Sequence, residues 1–350
     1  MAWSAVWVEE PGRPTVATLL DIQDGRIASL RLTQSDPRGQ GRVWSQRLDV
    51  LLAYPDTVRT IAVQLDGPEV DVAEAAGLPA PDFVLADGRG VGYGLFLLDA
   101  RSLRHLLRHL PAIRDPLVRG VAWITLWDAM LEGLVPPGEL IDLAARALET
   151  EGDELNVQRI VADLTTAYWR FLSPVDRTRR APEVEALLWR HLERAGTASR
   201  KSLFFRAYRD VALTPAGVRR LLRIWRGDEA VPGVTLDESD YTTLALELAD
   251  REVEGWSDVL DAQLARIENP DRRARFEFLI PALSADTAVR DSFFASLADP
   301  ENRRREAWVL TAVSYLNHPL RAAHAERYVL PSLELLEEIR RTGDIFFPQR

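Results

Sequence analysis

The sequence predicts a small all-β sandwich followed by an all-α, HEAT-like superhelical domain. Three observations carry that reading. Residues 1–97 fall into short, β-branched segments punctuated by turn residues. From Asp99 onward the apolar spacing becomes helical. Three of the helical segments open on the same chemistry, Asp115-Pro116, Thr214-Pro215 and Asn269-Pro270, each a capping side chain followed by a proline suited to the first helical turn. The boundary divides the chain into a sandwich domain, 1–97, and a helical domain, 98–350.

In the first part, Pro11-Gly12-Arg13-Pro14 is a turn and 15–22 a strand. Asp24-Gly25 is a hairpin signal, and 26–33 places Ile27, Leu30 and Leu32 among polar residues. After the turn Asp36-Pro37-Arg38-Gly39, strands are expected at 43–54 and 58–65, and a last strand region at 83–98. Such strands suit a sandwich.

In the second part, Asp99 caps a helix whose face is marked by Leu103, Leu106, Leu107 and Leu110. Asp115-Pro116 opens the next, with Leu117, Val121, Ile124, Leu126, Trp127 and Leu131 on its apolar face and Gly133 as its stop. Further helices are expected at 137–150, 153–172, 182–194, 199–212, 215–225, 238–251, 255–267, 270–283, 286–298, 303–316, 319–327 and 331–341. Successive pairs occupy roughly 35 to 45 residues, a period that suits a solenoid. No strict repeat is visible, and an irregular bundle is the alternative.

Composition narrows the function classes. The chain has 350 residues, which suggests about two domains. It is 47% apolar and 27% charged, as globular proteins are. Cysteine is absent, which excludes disulfides, thiolate metal sites and cysteine nucleophiles. The formal net charge of −10 argues against nucleic acid or an anionic membrane as the main partner. No membrane-length apolar run and no secretory leader is visible, so a cytoplasmic location is expected. All basic residues but Lys201 are arginine.

The residues that could carry chemistry are few. His105 and His109 share a helix face at the spacing of a two-imidazole metal site. The position of a metallopeptidase glutamate, however, holds Leu106, and Arg104 and Arg108 flank the pair. His318 and His324, six residues apart, do not share a face, and His191 is expected on a solvated face. The run Gly88-Arg89-Gly90-Val91-Gly92-Tyr93-Gly94 lacks the lysine of a phosphate loop and opens no helix, so it reads as a turn with close backbone packing. No G-x-S-x-G elbow is present. The acidic clusters at 237–240 and 334–338 and the arginine runs at 177–180, 272–275 and 303–305 read as helix starts and ion-paired helix faces. Of ten tryptophans, Trp123, Trp127, Trp169, Trp189, Trp225, Trp256 and Trp308 are expected to pack between helices.

The junction residues Phe83 to Gly94, leading into Leu98-Asp99, resemble the segment that joins sandwich to helical domain in zinc aminopeptidases of the aminopeptidase N family. The family pattern is N-x-D/G-x-G-Y-Y/G-R-V/F, and Leu95-Phe96 here replaces its Arg-Val/Phe pair. Trp3, Trp7 and Pro11-Gly12-Arg13-Pro14 look like the W-x-x-x-P-G-x-P entry to that sandwich. Ile113 to Arg119 and Ala122 to Asp128 look like the family's second helix. Leu316 to Leu320, Tyr328 to Leu336 and Thr342 to Pro348 resemble bacterial members.

The resemblance covers the whole chain but only part of the family's architecture. It implies a C-terminal piece, shortened at its own C-terminus, of a zinc metallo-aminopeptidase. The H-E-x-x-H helix, the G-x-M-E-N loop and the catalytic tyrosine would lie in earlier domains and are absent here. No catalytic or metal-binding residue is therefore expected in this chain, no cofactor is expected in it, and zinc belongs to the parent enzyme. The implied partners are the missing N-terminal and catalytic domains and peptide substrates, with the helical domain closing over the cleft. Arginines of its concave face would meet a peptide carboxylate. The alternative is a free-standing helical-repeat interaction module without enzymatic activity.

Overall fold

The Asp24-Gly25 turn closes the first hairpin, with both residues at positive φ, 49° and 73°. It joins β1 (Thr15–Gln23) to β2 (Arg26–Ser35) in antiparallel register, with a bulge between Asp21 and Ile22. In the computed structural model, which describes residues 5–9 and 11–342, seven strands form two sheets. β3 (Gln46–Ala53), β4 (Val58–Leu65), β5 (Glu69–Asp71), β6 (Phe83–Leu85) and β7 (Leu95–Leu97) complete them. One sheet has the order β5-β2-β1-β7 and the other β4-β3-β6. Val16, Ile27 and Leu32 of the first share one buried core with Leu48, Val50, Leu52 and Val63 of the second. Alternating inward apolar residues thus hold the sheets face to face.

Two local findings differ from expectation. The segment 83–98 is two strands, β6 in one sheet and β7 in the other, with the glycine run crossing between them. The Asp87 carboxylate accepts from the Gly92 and Val91 N–H groups at 2.7 and 3.3 Å, which bends the chain out of a single strand. The second is β5, unforeseen because it is only three residues long. Arg31 pairs with Asp71 at 2.7 Å and with Glu69 at 3.3 Å across its edge.

The chain forms two compact units, residues 1–171 and 172–350. The first holds both sheets and helices α1 (Ala100–His109), α2 (Pro116–Leu131), α3 (Pro137–Leu148) and α4 (Glu154–Thr166). There α1 packs on β6 and α2 on β7. Asp99, Asp115 and Asp153 each accept two backbone N–H bonds at the starts of α1, α2 and α4. Trp123 and Trp127 are buried, and the Trp123 indole N–H donates to the Asp163 carboxylate of α4 at 2.8 Å. Leu117, Ile124 and Leu131, expected on the buried face of α2, are instead exposed. Helix α2 is apolar nearly all round, so its inward side could not be read from spacing alone.

The second unit contains α5 (Pro174–Arg194), α6 (Ala198–Val211), α7 (Pro215–Arg226), α8 (Glu238–Asp250), α9 (Trp256–Arg266), α10 (Pro270–Leu283), α11 (Thr287–Ser296), α12 (Glu306–Leu316) and α13 (Ala322–Thr342). Sequence neighbours pack on one another: α5 on α6, α7 on α8, α8 on α9, and α10 on both α11 and α12. The caps at Thr214 and Asn269 form as expected.

Two helices run through prolines that the sequence suggested as starts. Helix α5 begins at Pro174, where Ser173 caps it, and passes Pro182. Helix α13 is a single helix containing Pro331 rather than two segments, and Pro319–Arg321 forms a separate short turn. A proline inside a helix removes one backbone bond, and neighbouring packing holds the remainder. No described helix is long and apolar enough to cross a membrane.

Candidate functional site

Arginine side chains engage several helix ends of this fold. The last carbonyls of a helix have no partner within it, and arginines from elsewhere donate to them. Arg251 reaches Ala212 at 2.5 Å and Asp210 at 2.8 Å, at the end of α6. Arg321 reaches Ala282 and Leu283 at 2.8 and 3.0 Å, at the end of α10. Arg303 reaches Leu297 and Ala298 after α11, and Arg146 reaches Leu107 in α1. The Arg251 side chain is almost fully buried beside Glu247, whose carboxyl is pushed up by burial against the pull of that guanidinium. Other members of the runs at 177–180, 272–275 and 303–305 pair instead with carboxylates at the surface: Arg179 with Asp176, Arg272 with Glu238 and Arg304 with Glu301.

The histidines separate into three settings. His105 and His109 bring their rings to 4.8 Å, and the His105 ring lies 5.6 Å from Phe83. Burial lowers the His105 pKa, against the nearby charge of Asp82. His191 is not on a solvated face: it is half-buried and stacked on Phe204 at 5.2 Å. A phenylalanine one helix away, invisible to the charged run around His191, sets that position. His318 Nδ1 lies 2.8 Å from the buried carboxylate of Asp250, and His324 Nε2 lies 2.9 Å from Asp291. Among the described residues, no three His, Asp or Glu side chains are grouped to hold a metal.

The glycine run makes a packed turn. A Cβ at Gly88 would sit 2.5 Å from the Leu51 Cβ, and one at Gly92 would sit 2.7 Å from Leu48 Cδ2. Tyr93 in the same run contacts Trp7 at a 5.6 Å ring separation and donates to the Gly12 carbonyl at 3.0 Å. The junction motif and the entry motif are thereby one assembly. Trp3 and the 343–348 portion of the C-terminal motif lie outside the described residues.

Two grooves flank α7. On one side, between α5 and α7, is a groove of about 830 Å³ with Trp189, Tyr208 and Arg220 on its walls. Arg220 stacks over Trp189 at 4.1 Å and pairs with Glu229 at 2.9 Å. Burial raises the Tyr208 pKa. On the other side, between α7 and α9, is a second groove of about 680 Å³ with an apolar lining that includes Val218, Leu222 and Trp225. Arg219 lines both grooves and Arg226 the second. Both are exposed, and neither side chain makes a hydrogen bond or ion pair among the described residues. Exposed guanidinium groups beside an apolar lining have the chemistry to pair with carboxylates. Periodicity could not single out these two arginines from the rest, since their availability depends on what the others cap.

No protein-family model and no curated protein matches the sequence. Among solved structures, the fold is similar to the crystal structure of Legionella pneumophila aminopeptidase A in complex with aspartic acid. The TM-score is 0.54 and the identity 12%, over 95% of this chain and 43% of that one. The chain therefore spans less than half the length of that structure, and what the two share is a fold.

Proposed function

We propose that this chain is the non-catalytic sandwich and helical lid of a zinc-dependent aminopeptidase. In this reading the helices of the second unit form a HEAT-like superhelix that covers a catalytic cleft built by other domains of a longer polypeptide. The observation that carries the proposal is the fold likeness over 95% of this chain and only 43% of an aminopeptidase. The grooves beside α7 supply the peptide-facing surface. Val218, Leu222 and Trp225 accept apolar side chains, and Arg219 and Arg226 pair with carboxylates of the substrate. Zinc and the groups that activate water would belong to the catalytic domain, because the sequence holds no H-E-x-x-H and the described residues offer no ligand set.

The test is the size of the native polypeptide, read by immunoblot of the source cell with antibody raised against this chain. A band more than twice the 39.4 kDa of the chain supports the proposal. A band near that mass supports a free-standing interaction module instead. The purified chain is expected to bind no stoichiometric zinc and to leave an aminoacyl-coumarin intact. Zinc-dependent turnover by the pure chain would overturn the reading.

A further inference from the structure

A small cavity of about 130 Å³ lies in the first unit between β1, the 85–98 segment and α2. Each polar side chain on its lining, Thr18, Asp87, Thr125 and Asp128, carries an oxygen able to accept a hydrogen bond. Thr18 is 4% exposed, and its Oγ1 is buried without a hydrogen-bond partner among the described residues. The Asp87 carboxylate accepts two backbone N–H bonds and keeps lone pairs in reserve. Thr125 donates its hydroxyl proton to the Val121 carbonyl, which leaves its oxygen as an acceptor. Asp128 has a side chain only 18% exposed, and its nearest cation, Arg13, stands 3.6 Å away, beyond a good hydrogen bond. Burial raises the Asp128 pKa in spite of Arg13, so its charge is under-compensated. Ile124, 48% exposed, also lines the cavity and offers an apolar surface on its open side.

We propose that this cavity is a binding site for a guanidinium group. Acceptors stand on opposed walls, Thr18 and Asp87 on the sandwich side and Asp128 on α2. A planar fork with five N–H donors can serve several directions at once, which the compact ammonium ion does less well. Guanidinium is also the more weakly hydrated cation and enters a half-dry site more readily. Methylenes attached to it would lie against Ile124. The group reaches the site on a small guanidine compound or on an arginine of a polypeptide. The proposal stands apart from the aminopeptidase reading, since it concerns the first unit alone.

The test is a titration of the full chain with N-ethylguanidinium, followed by the Thr18 and Gly92 amide signals in two-dimensional NMR. Saturable shifts are expected, with N-ethylurea, the neutral isostere, inert. Asp128→Asn should weaken binding about tenfold or more, the scale of a lost charge-assisted hydrogen bond. Thr18→Val should weaken it, and Thr18→Ser, which keeps the hydroxyl, should restore it. Parallel titrations with free L-arginine and with an acetylated, amidated arginine tripeptide distinguish the two sources by which binds more tightly. Equal response to the urea, unchanged binding in folded Asp128→Asn, or no saturable shift with any guanidine would each overturn the proposal and leave a water-filled cavity.

Discussion

The Glu185 carboxylate of α5 caps α7 through Thr214: it accepts the Thr214 N–H at 2.7 Å, the Thr214 hydroxyl at 2.6 Å, and also the Leu213 N–H at 2.7 Å. Gly217 makes room for it, since a Cβ there would lie 2.4 Å from Glu185 Oε2. Glu185→Ala is expected to cost about 1–3 kcal/mol, the usual loss when buried donors are stranded. Gly217→Ala should destabilise when Glu185 is present. In the Glu185→Ala background it should be neutral or stabilising by up to about 1 kcal/mol, as alanine favours a helix over glycine. A double-mutant cycle by urea denaturation measures this coupling, and simple additivity would refute the relationship.

Arg251 is expected to be costly to remove. It donates to three carbonyls around the end of α6 and pairs with Glu247 at 2.5 Å. Arg251→Ala strands those carbonyls and leaves a buried carboxylate, at an expected cost of about 3–5 kcal/mol. Arg251→Lys should recover only part of this, because one ammonium cannot match the fork. Thermal unfolding of both variants decides it.

Asp128 should make stability fall as the pH rises. Burial raises its folded-state pKa above the ordinary value, outweighing the pull of Arg13 and Arg159 and aided by the charges of Glu132 and Asp163. Its contribution is therefore most favourable when protonated, at pH below 3.8, and is lost as the pH rises through the folded value. Asp128→Asn should match the parent near the acid end and exceed it at pH 7. Urea midpoints across that range test the sign, and a variant less stable at pH 7 than at pH 4, relative to the parent, would contradict it.

Arg219 and Arg226 should matter to ligands and not to folding. Arg219→Glu with Arg226→Glu is expected to shift stability by no more than about 0.5 kcal/mol, as for other exposed positions. The same pair should abolish binding of an anionic peptide that the parent chain retains. Isothermal titration with a carboxylate-terminated peptide and with its amide separates these outcomes. Loss of binding for both peptides alike would remove the carboxylate from the account.

The first four strands, the change of period near residue 97 and the helix openings at Asp115, Thr214 and Asn269 were determined by the sequence itself, whereas the three-residue β5 and the split of 83–98 into two strands were not. Each of the former depends on side chains acting within a few residues of their own backbone, as the caps show. Pro215 follows the capping Thr214, whereas Pro182 and Pro331 follow Ala181 and Leu330, which cannot cap, and tertiary packing decided that the helices continue through these two prolines. It decided which side of α2 is buried, because that helix is apolar nearly all round. It also decided which arginines are engaged. Arg251 meets carbonyls about forty residues away and Arg219 meets none, and short-range spacing holds no record of a partner that only folding brings within 3 Å.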